Sequence, residues 1–432
     1  MKPLIPFLLS IMVISGCSGE QTPPQPAVDL EPLAREYLFL ELSMGAHDEG
    51  HVDAFFGPEE IRQAAQRAQL SLTEIRLQAA DVRTDLQAAA SQTADPMTKQ
   101  RIDGLLGRLT ALDTRVDLNE QKTLPFDQES ERLFAATAPD HDTAYFQGIL
   151  DDIDKLLGGE GDLSARVTEF QSQFVIPPGN LRAVFAVAIE ECRRRTLEFI
   201  DLPANESFSI EYVTDKPWSG YNWYQGDAQS LIQINTDLPT YISRAVDLGC
   251  HEGYPGHHTY NALLEKNLVN EKGWVEFSLY PLFSPQSLVA EGSGNYGIDL
   301  AFPGDERIRF EKDELFPLAG LDAAEADRYY ELQELLAKLN YAGNEAARDY
   351  LDGRMDREQA VQWLVDYSLT APERALQRTE FFDAFRSYVI NYNLGKDIVR
   401  DFIEKDGADE TERWRRFEAL LSSPMTADEL TR

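Results

Sequence analysis

The stretch Gly249-Cys250-His251-Glu252-Gly253-Tyr254-Pro255-Gly256-His257-His258-Thr259-Tyr260-Asn261 constrains this chain more than any other. Three of the chain's six histidines fall here, and Glu252 directly follows the first of them. Neutral imidazoles bind Zn²⁺, and a carboxylate beside the ion can take a proton from water. The spacing departs from H-E-x-x-H, in which histidines at i and i+4 share one helix face. On a straight helix His257 would point about 120° away from His251, and His258 would share its face but sit roughly 10 Å along the axis. Pro255 changes this, because it has no N–H for the carbonyl of His251 and its ring crowds that turn. Gly256 tolerates the unusual dihedrals that follow. A helical bulge absorbing two residues would carry His257 to the place i+4 normally holds. The expected metal ligands are therefore His251 and His257, with His258 as the alternative ligand or a supporting group. The rival reading is a His-rich turn with no metal.

A third ligand is expected downstream. Ser284-Pro285 opens a helical pattern that carries Glu291, thirty-nine residues after Glu252 and far enough for a loop and a return helix. Glycines at 292, 294 and 297 cost roughly 1 kcal/mol each relative to alanine in a helix. They make sense if another element packs closely against this one. Asn295 and Asp299, at i+4 and i+8 from Glu291, are expected to steady a ligand histidine. Adjacent helical residues diverge by about 100°, so Glu252 cannot share one ion with His251. It is placed instead as the general base that takes water's proton and passes it to a leaving amine.

His251-Glu252-x-x-Pro255-Gly256-His257-His258, followed by Glu291-Gly292, resembles a bacterial family catalogued as domain of unknown function 885. That family is regarded as similar to the glutamate-zincin metallopeptidases. The resemblance runs from about residue 30 to 405, and its specific part is the eight-residue motif. It implies a mainly α fold with a small β-sheet, zincin-like, with helical lobes around a metal cleft. It implies peptide or amide hydrolysis with Zn²⁺ held by His251, His257 and Glu291. It also implies a strand beside the metal helix that pairs with the substrate backbone, a role that falls on residues 231–235. Relatives end their C-terminal signature with tyrosine, two residues and glycine, matched by Tyr392 and Gly395. The chain departs from them at Arg386-Ser387-Tyr388, where Pro-Gly-Gln is usual, and at Ser293, where a bulky aromatic is usual. Tyr392 first, Tyr296 second, or Arg386 is expected to stabilise the oxyanion.

The remaining sequence supplies context. Lys2 and an apolar run over residues 4–14, too short to span a bilayer as a mature helix, mark a targeting segment. Ile14-Ser15-Gly16-Cys17 resembles a bacterial lipobox, so residues 1–17 are expected to be a signal peptide and Cys17 the lipidated N-terminus. Ser18 resembles an outer-membrane sorting signal. The expected localisation is the outer membrane, facing the periplasm, with the lipid on Cys17 as the bilayer contact. Residues 18–32 form a flexible tether, residues 33–200 a helical lobe, 201–405 the zinc-peptidase-like region and 406–432 a helical tail docked through Trp414 and Phe417. A net charge of −34 excludes a nucleic-acid partner, because phosphates would be repelled. The partner expected in the cleft is a peptide substrate. A non-catalytic envelope binding or assembly protein on the same fold is the alternative, and intact Glu252 weighs against it.

Several finer expectations follow. Cys192 and Cys250 could pair in an exported protein, but a buried thiol is favoured at Cys250. His47, Asp48, Glu49, His51 and Asp53 read as a hydrogen-bonded polar loop, with a second metal site as the rival; the resemblance of Val52-Asp53-Ala54-Phe55-Phe56-Gly57-Pro58 to runs in the family implies that the loop lines the cleft. Asp95 with Pro96, and Asp356, are expected helix caps. Strands are expected at 207–213 and 231–235 by alternation. Thr236 or Asp237 is expected to start the helix that leads to His251.

Overall fold

A computed structural model of the chain describes residues 29–216 and 218–431. The expected signal peptide, Cys17 and residues 18–28 of the expected tether lie outside the described residues. The first helix, Glu31–Met44, begins two residues inside the stretch assigned to the tether. The fold is mainly α with two small sheets. Among the described residues no helix is long and apolar enough to cross a membrane.

The helix starts follow local chemistry. Asp95 accepts the Thr98 N–H at 2.8 Å and Pro96 occupies the first turn of Pro96–Asn119. Asp356 and Gln359 make a reciprocal capping box ahead of Arg357–Tyr367, so two otherwise orphaned N–H groups are satisfied. Both caps are the residues that the sequence predicts. The tail docks as expected: Trp414 stacks on Phe199 at 4.9 Å, and Phe417 packs against Tyr296.

The larger sheet contains β2 (Ser207–Val213), β3 (Gly220–Gly226) and β4 (Gln229–Asn235) in the order β2-β4-β3. β2 runs parallel to β4, and β3 antiparallel to it. Both strands expected from alternation are present. β4 is central, so both of its edges are already hydrogen-bonded. The substrate-pairing role expected for residues 231–235 is therefore not open to them. The strand with a free outer edge beside the histidine motif is β3. A second, two-stranded sheet pairs β1 (Val52–Phe55) with β5 (Leu279–Pro281). It ties the N-terminal helices to the chain just ahead of Glu291.

The motif is built differently from a bulged helix. The first helix is only Ser243–Leu248. It starts later than Thr236 or Asp237, because Tyr241 is still extended and bridges Val175. A π-turn, Gly249–Gly253, follows directly. The chain then breaks: Tyr254 is extended, the Tyr254–Pro255 bond is cis, and a second helix starts at His257. Pro255 thus ends the helix instead of bending it, in keeping with its missing N–H and its ring. At Gly256 a Cβ would stand 1.9 Å from the His251 carbonyl oxygen, so no larger residue fits the return.

Cys192 and Cys250 form a disulfide that ties the helix Leu181–Leu197 to the π-turn. The buried thiol favoured at Cys250 is thereby corrected. Both cysteines are buried in the main apolar core, close enough to bond.

The helix Pro285–Ala301 carries Glu291 and packs tightly against the helix Ile390–Ile403, which carries Tyr392. A Cβ on Gly292 would lie 2.4 Å from the Gly395 carbonyl oxygen, and one on Gly395 would lie 2.8 Å from that of Leu288. The close approach expected at the glycines is present. Gly294 lies against the His251 ring and Gly297 against Pro255.

Candidate metal centre

Three elements meet at one point. The π-turn supplies His251, the first residue of the second motif helix is His257, and the helix Pro285–Ala301 supplies Glu291. One donor atom from each lies within 4.8 Å of the other two. His251 Nε2 is 3.3 Å from Glu291 Oε2, and His257 Nε2 is 3.8 Å from Glu291 Oε1. The two imidazoles stand edge to face, 4.6 Å between centroids. Ligands held 2.0–2.1 Å from a tetrahedral zinc lie roughly 3.3 Å apart, so the spacing fits one ion. Glu291 Oε2 is buried with no hydrogen-bond partner among the described residues. Two imidazoles and one carboxylate are the protein donor set of a catalytic zinc.

The charges here are tightly balanced. Burial works to raise the Glu291 carboxyl, but His251 and His257 outweigh it and hold the pKa below its ordinary value. Burial works to lower His251, but Glu291 and Glu252 raise it overall. His257 is pushed down to about 4 by burial and by the His251 charge. It is therefore neutral at pH 7, the form that binds a metal. Burial pushes Glu252 up to about 7, with Glu291 adding to the shift.

Glu252 is held from both sides. Asn222 on β3 donates to its backbone carbonyl at 2.6 Å. A Cβ on Gly220 would meet its Oε1 at 2.8 Å, so the carboxylate lies against bare β3 backbone. Its side chain accepts no hydrogen bond from a described residue, which leaves it free to act on water.

Two tyrosines one helical turn apart approach Glu291. The Tyr388 hydroxyl donates to Glu291 Oε1 at 2.9 Å. The Tyr392 ring lies 5.8 Å from that of Tyr388, and its phenol feels the charges of Glu291 and Glu252. Burial drives both phenols far above their ordinary value, so both are protonated donors. Tyr388 is the residue that motif comparison missed, because Pro-Gly-Gln is expected there. Its signal was the i, i+4 spacing to Tyr392.

Other expectations are corrected. His258 turns away from the cluster: Nδ1 bonds the Ser230 hydroxyl at 2.8 Å and Nε2 bonds Glu206 at 3.0 Å. Tyr296 donates to Glu404 at 3.1 Å and packs on the tail, on the far face of its helix. Arg386 is bound to the buried Glu129 at 2.7 Å, so its charge is already used. Asn295 donates to the Tyr392 backbone at 3.1 Å, and Asp299 pairs with Lys396 at 2.7 Å. Neither steadies a histidine.

The loop cluster at 47–53 is a hydrogen-bonded structure. His51 bonds Glu41, Asp48 pairs with Arg115, and His47 bonds the Leu70 carbonyl at 2.6 Å. Only Asp53 turns towards the centre. It accepts from the Tyr221 hydroxyl at 2.7 Å, and burial, with the Glu291 charge, raises it to about 6.

No protein-family model and no curated protein sequence matches the chain. Among solved structures it is similar to that of "the putative lipoprotein from Colwellia psychrerythraea", with a TM-score of 0.52 and 16% identity over 94% of this chain and 76% of that one. That likeness shows a shared fold. An M32 carboxypeptidase from Deinococcus radiodurans R1 follows at a TM-score of 0.49 and 13% identity, over 93% of this chain and 94% of that one.

Proposed function

We propose that the chain is an exported, lipid-anchored zinc peptidase, allied to the domain of unknown function 885 family and the glutamate-zincins. The observation that carries this reading is the convergence of His251, His257 and Glu291 with the unbonded Glu252 carboxylate beside them. The lipobox at Cys17, the similarity to a structure described as a lipoprotein and the disulfide, which suits an oxidising compartment, support export. The outer-membrane, periplasm-facing location rests on Ser18 alone.

A zinc ion held by His251, His257 and Glu291 would polarise the scissile carbonyl and acidify a water. Glu252 takes the water's proton and delivers it to the leaving amine. The free edge of β3 pairs with an extended substrate backbone. Tyr392 donates to the carbonyl oxygen as charge builds on it. Tyr388 keeps Glu291 in place, and Asn222 pins the backbone of Glu252.

Glu252→Gln tests the reading, because it keeps the shape and removes the base. The variant should fold, keep one zinc per chain by elemental analysis, and lose about 10²–10⁴-fold in hydrolysis of a peptide pool. Chelator should abolish the wild-type activity. Full zinc with undiminished turnover overturns this mechanism, and zinc loss makes Glu252 a ligand.

A further inference from the structure

The outer edge of β3 differs from end to end. At its far end a Cβ on Gly226 would stand 2.8 Å from that of Phe56, the residue that follows β1. The Phe56 ring lies edge to face on Tyr224, 5.3 Å between centroids, and its N–H donates to the Ser278 carbonyl at 3.0 Å. An extended peptide lying along this edge runs into Phe56 there. At the near end, just before Gly220, Arg244 donates to the Ser219 hydroxyl at 3.3 Å. Arg244 and Arg307 share one carboxylate at that end, Asp247. The edge therefore has one blocked end and one basic end.

Asp53 stands beside this edge, three residues before Phe56. It accepts from the Tyr221 hydroxyl at 2.7 Å, and Tyr221 is the β3 residue between Gly220 and Asn222, the two that touch Glu252. The next residue, Ala54, pairs with Tyr280 on β5, the strand just ahead of the Glu291 helix. The charges agree with this placement: Asp53 feels Glu291, and Glu252 feels Asp53. Asp53 is more than half buried, and no cation pairs with it among the described residues. Outside the centre the fold does not leave buried carboxylates alone. Glu41, Asp117, Glu129, Glu276, Glu311 and Glu345 each face a His, Lys or Arg. A carboxylate drawn out of water without a counter-ion is costly, and a ligand that brings the missing charge removes the cost.

We propose that Asp53 receives the N-terminal ammonium of a peptide, so that the bond presented to Glu252 lies close to the substrate's N-terminus and the protein acts as an aminopeptidase. The choice of bond rests on the peptidase reading; the ammonium binding does not. The blocked end of β3 holds a carboxylate, so of the two chain termini it accepts the cationic one. The peptide then runs past Gly220 towards Arg244, where its later residues and its own carboxylate meet positive charge. An ammonium to carboxylate contact is a charge-assisted hydrogen bond, stronger than a neutral one.

The test uses zinc-loaded full-length protein and three pools of hexapeptide amides. One has free N-terminal amines and neutral side chains. The second is the same pool N-acetylated. The third is N-acetylated with one internal Lys. The quantity read is the ratio of kcat/KM for each cationic pool over the neutral acetylated pool, with mass spectrometry of the products to locate the bond cut. The same ratio is read as binding affinity in Glu252→Gln, where hydrolysis is not needed. The free-amine pool should be preferred about ten- to hundredfold, the range of a hydrogen bond to a charged group, and cut near its N-terminus. Asp53→Asn keeps the shape and removes the charge; it should bring the ratio close to one with zinc content unchanged. An equal gain from the internal Lys overturns the assignment to the chain terminus. First products released from the C-terminal end, or a ratio that survives Asp53→Asn, overturn the proposal. Chelator-sensitive hydrolysis that treats all pools alike overturns it and leaves the peptidase reading standing. Amine-dependent binding with no hydrolysis by wild type overturns the peptidase reading and leaves the ammonium site standing.

Discussion

His257 and His258 are neighbours in the chain and do different work. Adjacent helical side chains diverge by about 100°, so only one of them can face Glu291. His257 does, at 3.8 Å. His258 is locked between Ser230 and Glu206, and Glu206 also receives the Tyr254 hydroxyl and Arg193. His258→Ala should accordingly retain zinc. Burial works to raise Glu206, but His258, Tyr254 and Arg193 outweigh it and hold its pKa below 4.5. A carboxyl depressed in the folded state stabilises it above its ordinary pKa, and the gain is lost as pH falls through the folded value. Glu206→Gln should therefore melt well below wild type at pH 7, and the gap should shrink as pH drops below 4.5. Thermal melts from pH 7 to pH 3 check it, and a gap that stays constant assigns the network no titrating role. The convergence of His251, His257 and Glu291 was legible because metal donors are few and their clustering is rare. Tyr388 was not, because a tyrosine near a helix start is far more often core. Which of two adjacent histidines faces the centre depends on where the helix restarts, and Pro255 alone does not give that.

At the scale of elements, two glycine-faced helices set the geometry. The backbones at Gly292 and Gly395 are in contact, and a methyl at 292 would overlap a carbonyl oxygen. Backbone cannot swing aside as a side-chain tip can. Gly292→Ala should cost about 1–3 kcal/mol, the range for overpacking, although alanine is the better helix former. Urea denaturation measures it, and a neutral or stabilising result means that the two helices do not meet as closely as described. The pattern Glu-Gly-x-Gly-x-x-Gly announced this contact in the sequence, since glycine inside a helix otherwise has only costs. The central position of β4 was not announced. Alternation shows that a segment is a strand, but nothing in the segment says how many neighbours it has. The strand at 52–55 was hidden for a related reason: its partner, β5, lies more than 220 residues away.

At the scale of the whole molecule, the disulfide ties the helix Leu181–Leu197 to the residue before His251 across a separation of 58. In the chain-entropy account a loop of that size contributes about 4 kcal/mol through the unfolded state. Reduction, or Cys192→Ser, should lower the melting temperature by several degrees or more. Melts with and without reductant check this, and an unchanged midpoint would mean that the bond adds nothing to stability. Net charge and length bounded the partners but not this tie, because a pair of cysteines far apart in sequence meets only once the core has formed.

The contact between Gly292 and Gly395 also sets an order in time. A ribosome that has released the chain as far as Ala301 has already delivered His251, His257 and Glu291. The helix that braces Glu291, and the tyrosines beside it, are still about a hundred residues from emerging. An interrupted chain would thus carry every candidate ligand and still lack the floor they rest on. The centre is among the last things this protein finishes, and a nascent or prematurely released copy should be inert.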